Sequence, residues 1–170
     1  TTESDSMDLT VDEHMQTLRD GGLPALQELK TSGQIQLIGG AINAAEGRDP
    51  GAAEAWNLEY AQLLIDGGVD FLLLAGVHTL IDHSAWRSGI LDLCIEKGVG
   101  VVLGGVFQSG ILGGKSDKFS YQEAPMSVRT KVKDVGRICE RHGVPLRTAA
   151  LQFPLAHAAI STMIVGASSR

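Results

Sequence analysis

Val99-Gly100-Val101-Val102-Leu103-Gly104-Gly105-Val106-Phe107-Gln108-Ser109-Gly110-Ile111-Leu112 is an apolar run that passes directly into a glycine-rich loop. Its first half has no polar alternation, which predicts a parallel strand covered on both faces. The glycines then allow close approach of backbone to another group, and Ser109 offers a hydroxyl at the same place. A buried strand that delivers a permissive loop at its carboxyl end is how an α/β barrel presents a ligand site.

The flanking sequence repeats this unit. Thr1 to Thr10 is polar and acidic and reads as a loop or ragged edge. A helical pattern starts at Val11, capped by Asp8 or Thr10, is broken by Gly21-Gly22 and Pro24, and resumes to Gly33. Ile35 to Ile42 reads as a strand interrupted at Gly39-Gly40, and Asn43 to Arg48 as a loop. Asp49-Pro50 is a strong helix start, a capping carboxylate followed by proline in the first turn. That helix shows Trp56, Tyr60, Leu63 and Leu64 on one face and stops at Gly67-Gly68. Val69 to Ala75 is a second strand. A loop, Gly76 to His83, leads to a helix capped by Ser84 or Ser88, with Asp82 and His83 as a cap and its solvated neighbour.

After the central strand and its long loop, Ser127 opens a helix with Val132, Val135, Ile138 and Cys139 facing inward. Leu146 to Leu155 is a short helix bent or ended by Pro154, and Ile160 to Val165 is the last strand. Strands alternating with helices predict parallel pairing through right-handed crossovers. The whole of 1–170 reads as a single α/β domain. At 170 residues it is shorter than a full eight-fold barrel, which takes roughly 200 residues or more.

Composition narrows the function classes. Hydrophobic residues make up 44% and charged residues 20%, ordinary globular values that exclude disorder. A net charge of −6 without a Lys/Arg cluster argues against nucleic acid and anionic membranes as partners. No apolar run is long enough to span a bilayer and no signal peptide opens the chain, so a cytoplasmic location is the expectation. Cys94 and Cys139 fall on apolar helix faces and read as reduced core residues. No spacing of Cys, His, Asp and Glu matches a metal site.

Several stretches, in order, are similar to one family. Leu23-Pro24-Ala25-Leu26-Gln27-Glu28-Leu29-Lys30 to Ile35, then Ile38-Gly39, resembles the passage from the fourth helix into the fifth strand of the aldo/keto reductases. Gly104-Gly105-Val106-Phe107-Gln108-Ser109-Gly110-Ile111-Leu112 resembles their strand-seven cofactor loop. Ala149-Ala150-Leu151-Gln152-Phe153-Pro154-Leu155-Ala156-His157 is similar to the helix before strand eight, and Ile164-Val165-Gly166-Ala167 to strand eight itself. The flavour is that of the sugar and pyridoxal dehydrogenase branch.

The resemblance implies a parallel (β/α)8 TIM barrel, of which this chain supplies about helix 4 to strand 8. It implies NAD or NADP as cofactor and hydride transfer to or from an aldehyde, aldose or similar carbonyl or hemiacetal carbon. The family's catalytic tyrosine, lysine, aspartate and histidine come from the first four strands, so the resemblance implies no catalytic residue in this stretch. Asn43 falls where the family holds the nicotinamide carboxamide, a task suited to an amide that both donates and accepts. Ala75 stands where many relatives have a glutamine. Phe107, Gln108, Ser109 and Gly110 would contact the diphosphate, and Gly166, Ala167 and Ser168 the adenosine side. His78, in Val77-His78-Thr79-Leu80 where the branch has Arg-Tyr-Thr-Leu, and Tyr121, in the long loop, are candidates to line the substrate mouth.

Two other readings stay open on the residues alone. One is a non-catalytic half-barrel that binds nucleotide or self-associates. Four strands of eight leave two unpaired edges, to be covered by a homo-oligomer partner or by an amino-terminal half. The other is a different barrel enzyme whose Gly104–Gly110 and Gly166–Ser169 loops bind a substrate phosphate.

Overall fold

The computed structural model describes residues 10–44, 49–114 and 116–166. Helix α1 (Val11–Thr17) starts at a reciprocal cap: Thr10 Oγ1 accepts the Glu13 N–H, and the Glu13 carboxylate accepts the Thr10 N–H at 2.7 Å. The chain then stays helical through a π turn, Leu18–Gly22, into α2 (Leu23–Thr31). The expected break at Gly21-Gly22 and Pro24 does not occur. The Leu23 N–H reaches back to the Leu18 carbonyl, and the widened turn places Pro24 at the start of a new helical register, where its missing donor is tolerated. Gly33, at φ +76°, ends the segment.

The first strand, β1, is Gly39–Asn43. Its glycines belong to the strand and do not interrupt it. A Cβ on Gly39 would lie 2.3 Å from the Phe71 ring, and one on Gly40 2.5 Å from a Leu64 methyl. Both mark close approach. The helix α3 (Pro50–Asp66) is capped by Asp49, whose carboxylate accepts the Gly51 and Ala52 N–H groups. Strand β2 (Phe71–Ala75) follows. Asp70 ties its beginning to β1 and α2: its carboxylate accepts from Ile38 N at 2.8 Å and pairs with Lys30 Nζ at 2.5 Å. These two contacts, Lys30 first, hold the Asp70 carboxyl below its ordinary pKa.

The next helical stretch is two pieces, α4 (Ser84–Arg87) and α5 (Ile90–Lys97), because Gly89 between them sits at φ +85°. Strand β3 (Gly100–Gly104) leads into a kinked 3-10 segment, Gln108–Gly113, and a small hairpin, β4 (Lys118–Phe119) and β5 (Gln122–Glu123). Helix α6 (Met126–Arg141), α7 (Leu146–Leu155) and β6 (Ile160–Met163) complete the described chain. On α6, Cys139 is buried but Ile138 is 47% exposed, against the inward position expected for it. The two cysteines are free and buried. Burial pushes the Cys94 thiol up to about 11, so it is an inert core residue.

The main sheet has the order β1-β2-β3-β6, all parallel. Strand order follows chain order without reversal, so the sheet winds in one direction, as a barrel segment does and a doubly wound sheet does not. Leu72, Leu74, Val101 and Leu103 are fully buried in one core with Ala61, Leu64, Leu91 and Cys94. The alternate residues, Phe71, Leu73, Ala75, Gly100, Val102 and Gly104, are only half-buried. The apolar run of β3 therefore does not have two covered faces among the described residues. Helices cover one face. The other is the concave side that a closed barrel fills from all its strands.

Candidate functional site

The carboxyl ends of β1, β2, β3 and β6 meet around two adjoining cavities. Asn43, Ala75 and Gly104 are register partners across the first three strands and form one rung at the mouth. Only the asparagine on that rung carries a side chain longer than a methyl. A cavity of about 440 Å³ opens above it, bounded by Asn43, Gly76, Gly105, Ser109 and Tyr121. A second, of about 560 Å³, runs from Gly105–Gly110 to Gly166. The two share Gly105, Gln108, Ser109 and Tyr121.

The loop between them has an uncommon backbone. Gly105 sits at φ +66°, and a Cβ there would stand 3.2 Å from the Gly76 nitrogen. Gln108, Ser109 and Gly110 then follow at φ +46°, +58° and +98°. Two consecutive non-glycine residues in the left-handed region cost on the order of 1–3 kcal/mol each and persist only where surroundings fix them. Ser109 is fixed by the hairpin: its Oγ accepts the Tyr121 N–H at 2.9 Å. Gly110 closes back on the loop, donating to the Phe107 carbonyl at 3.0 Å.

The structure thus brings Asn43, Phe107, Gln108, Ser109, Gly110, Gly166 and Tyr121 to one place. Tyr121 is 87% exposed at the rim. Ala167 and Ser168 lie outside the described residues. His78 is not at the mouth. The chain turns at Gly76 (φ +74°) and carries Val77–Ile81 away from it, leaving His78 4% exposed against Phe153 and His157, with ring centroids 5.8 Å from each. Among the described residues His78 therefore lines neither cavity. His83 is likewise no solvated neighbour: its ring stacks on Phe153 at 5.0 Å. Asp82 accepts the Ser84 N–H at 2.8 Å one residue ahead of the N-cap position, which His83 occupies without a side-chain bond, so neither Ser84 nor Ser88 caps the helix as expected.

Both His78 nitrogens and His83 Nε2 are buried without a hydrogen-bond partner among the described residues. Burial, reinforced by His157 and His83, drops the His78 imidazole to about 4; burial, with Lys131 and Arg87, lowers His83. The consequence for stability has a definite sign. The unfolded imidazole protonates near its ordinary 6.5 and the folded one only near 4, so the stability this group confers is complete above about pH 6.5. It is lost as pH falls from there to about 4, by about 3 kcal/mol in all. Urea unfolding at pH 7.5 and 4.5 measures the loss, and His78→Phe is expected to remove most of it.

Thr79, behind the mouth, is a buried polar residue that sequence reasoning passed over. It is fully buried, and its Oγ1 accepts the Ile81 and Asp82 N–H groups and a side-chain N–H of Gln108. The signal was present: a threonine three residues before an aspartate at a loop end is an ST-turn pattern. A larger groove of about 930 Å³, between α2 and α3, is lined by residues such as Leu23, Pro24, Leu58 and Leu63. The Gly67 turn reaches it, but the loops after β1, β2 and β3 do not. Among the described residues no cluster of three or more His, Cys, Asp or Glu could hold a metal, and no helix is long and apolar enough to cross a membrane.

A singly wound parallel sheet with a cavity over its carboxyl ends has the architecture of an α/β-barrel segment. The chain belongs to the aldo/keto reductase family, whose sequence model matches residues 6–170. It is 34% identical over 154 residues to pyridoxal 4-dehydrogenase of Microbacterium luteolum, covering 89% of this chain and 41% of that protein. It is 29% identical over 149 residues to D-threo-aldose 1-dehydrogenase of a Pseudomonas species, covering 85% of this chain and again 41% of the relative. The chain therefore spans about two fifths of the length of these curated relatives. Its four parallel strands are part of the family's (β/α)8 barrel.

Proposed function

We propose that this chain carries the nucleotide-binding part of an NAD(P)-dependent oxidoreductase acting on a small aldehyde, aldose or related carbonyl compound. The observation that carries the reading is the floor of the strand-end cavities. Ala75, Gly76 and Gly105 offer nothing larger than a methyl there, and a side chain at Gly105 would close the gap against Gly76. A flat group can lie on such a backbone surface. NAD or NADP fits it, and the names of the two relatives, one acting on pyridoxal and one on an aldose, suggest the substrate class.

The exposed Asn43 amide would orient a carboxamide, since it both donates and accepts. Phe107 would pack beside the nucleotide, Ser109 and the Gly110 backbone would meet its phosphates, and Gly166, Ala167 and Ser168 its far end. When bound, the nucleotide supplies or takes up a hydride at the substrate carbon. The protein's part is to hold reactants in line and exclude water. Neither tyrosine suits the accompanying proton transfer: Tyr60 stacks on Trp56 in α3, and Tyr121 is exposed with no lysine partner among the described residues. We assign that step to parts of the barrel outside this sequence.

A second reading, a non-catalytic or self-associating half-barrel, draws on the half-buried concave face of Phe71, Leu73 and Val102. One titration separates the readings. Quenching of intrinsic tryptophan fluorescence by NADH or NADPH, with turnover of pyridoxal or an aldose by the full-length protein, supports the oxidoreductase. Binding without turnover supports the second reading. Binding of neither nucleotide, or displacement by a sugar phosphate alone, overturns the oxidoreductase, and a monomeric mass in solution then overturns self-association as well.

A further inference from the structure

Gln108 is 6% exposed, and its side chain points away from the loop it belongs to. Its Nε2 donates to the Gly76 carbonyl at 2.7 Å and to Thr79 Oγ1 at 3.3 Å, both in the loop after β2. Gly76 is held from the other side as well, since its N–H donates to the Gly104 carbonyl at 3.0 Å. Both polar backbone groups of Gly76 are therefore committed to the β3 side. Thr79 in turn fixes the Ile81 and Asp82 backbone. The two loops at the mouth are joined through one amide.

That amide sits on a residue with φ +46°. Glycine or asparagine takes this conformation at less cost, so a left-handed turn alone does not call for glutamine. What glutamine adds is reach. A hydrogen bond between two buried partners is worth more than an exposed one, and leaving the Gly76 carbonyl unpaired costs about 1–3 kcal/mol. The bond favours the left-handed Gln108 backbone, and the Tyr121 N–H to Ser109 Oγ bond favours that of Ser109.

We propose that Gln108 is a positioning residue: its side-chain amide braces the β3 loop against Gly76 and Thr79, and thereby sets the Ser109–Gly110 backbone for the nucleotide. The side chain acts through that backbone and does not itself contact the nucleotide. This rests on the nucleotide-binding reading above and refines the direct cofactor role expected for Gln108.

Two variants of the full-length protein test it by NADH and NADPH titration. Gln108→Asn keeps an amide and suits the left-handed backbone better, but is one methylene too short to span the loops. Gln108→Glu keeps the length and, ionised, cannot donate to the Gly76 carbonyl. Both are expected to weaken binding tenfold or more at pH 7.5. Lowering the pH protonates the introduced carboxyl, which can then donate, so Gln108→Glu regains affinity and Gln108→Asn does not. Comparison with the parent protein at each pH cancels the titration of His78 and His83 in the adjoining loop. Parental affinity in folded Gln108→Asn, or no acid recovery in Gln108→Glu, overturns the brace. If Gln108→Glu does not fold, the uncharged Gln108→Asn decides alone. Failure of the parent protein to bind either nucleotide overturns the nucleotide-binding reading itself, and the brace with it.

Discussion

Gly105→Val is expected to abolish NADH and NADPH binding and to lower stability by at least about 2 kcal/mol. Two costs coincide. At φ +66° a β-branched residue is a genuine outlier, and the new Cβ would stand 3.2 Å from the Gly76 backbone nitrogen. Backbone cannot rotate aside as a side-chain end can. The loops after β2 and β3 would have to part, and the bonds that Gly76 makes to Gly104 and Gln108 hold them together. Gly114→Ala is the control. Gly114 has a similar φ of +73° but nothing within 4 Å of a Cβ, so it isolates the backbone cost, about 1 kcal/mol, and should leave nucleotide affinity intact. Equal effects from the two substitutions, read by thermal melts and fluorescence titration, would show that close approach at Gly105 does not matter.

Leu103→Ala is expected to cost about 3 kcal/mol, within the 2–5 kcal/mol span for buried leucines. Leu103 is fully buried at the centre of β3, paired with Leu74 on one side and Met163 on the other, and its carbonyl also accepts the Ile164 N–H at 2.7 Å. The strand is held by neighbours on both sides, so the cavity left by truncation has little freedom to collapse. A lowered urea midpoint with unchanged slope is the expected signature. Ile138→Ala, on the exposed side of α6, should stay within about 0.5 kcal/mol. A Leu103→Ala effect that small would place the core elsewhere.

Local chemistry made much of this fold legible. Asp49-Pro50 announced one helix start and the Asp8-or-Thr10 choice another; Asp49 and Thr10 cap as their types allow. Gly98 at φ +67° ends α5 where a glycine after a lysine suggests it should. The misreadings arose where glycine served tertiary contact. Gly39 and Gly40 looked like an interruption because the reason for them, Phe71 and Leu64 pressing on the strand, lies some 30 and 24 positions away. The π turn at Leu18–Gly22 depends on hydrogen-bond register, which composition does not display.

The site was legible in its loops more than in its side chains. Val99–Leu112 located the loop because glycine and serine after a buried strand have a restricted set of uses. The burial of His78 was not legible, because a loop histidine looks alike whether it faces solvent or Phe153. The Lys118–Glu123 hairpin that carries Tyr121 was invisible: its turn uses Ser120 and Tyr121 at φ +48° and +64°, without the Asn-Gly that usually marks such a turn.

The central claim, that a nicotinamide nucleotide sits on the strand-end loops, is tested most directly by amide hydrogen exchange of the full-length protein with and without NADH or NADPH. The account predicts slowed exchange over Gly105–Leu112 and at Ala41–Ala44, with the α2–α3 groove around Leu23 and Leu63 unchanged. Nucleotide binding that leaves Gly105–Leu112 unprotected, or protects only that groove, would contradict it.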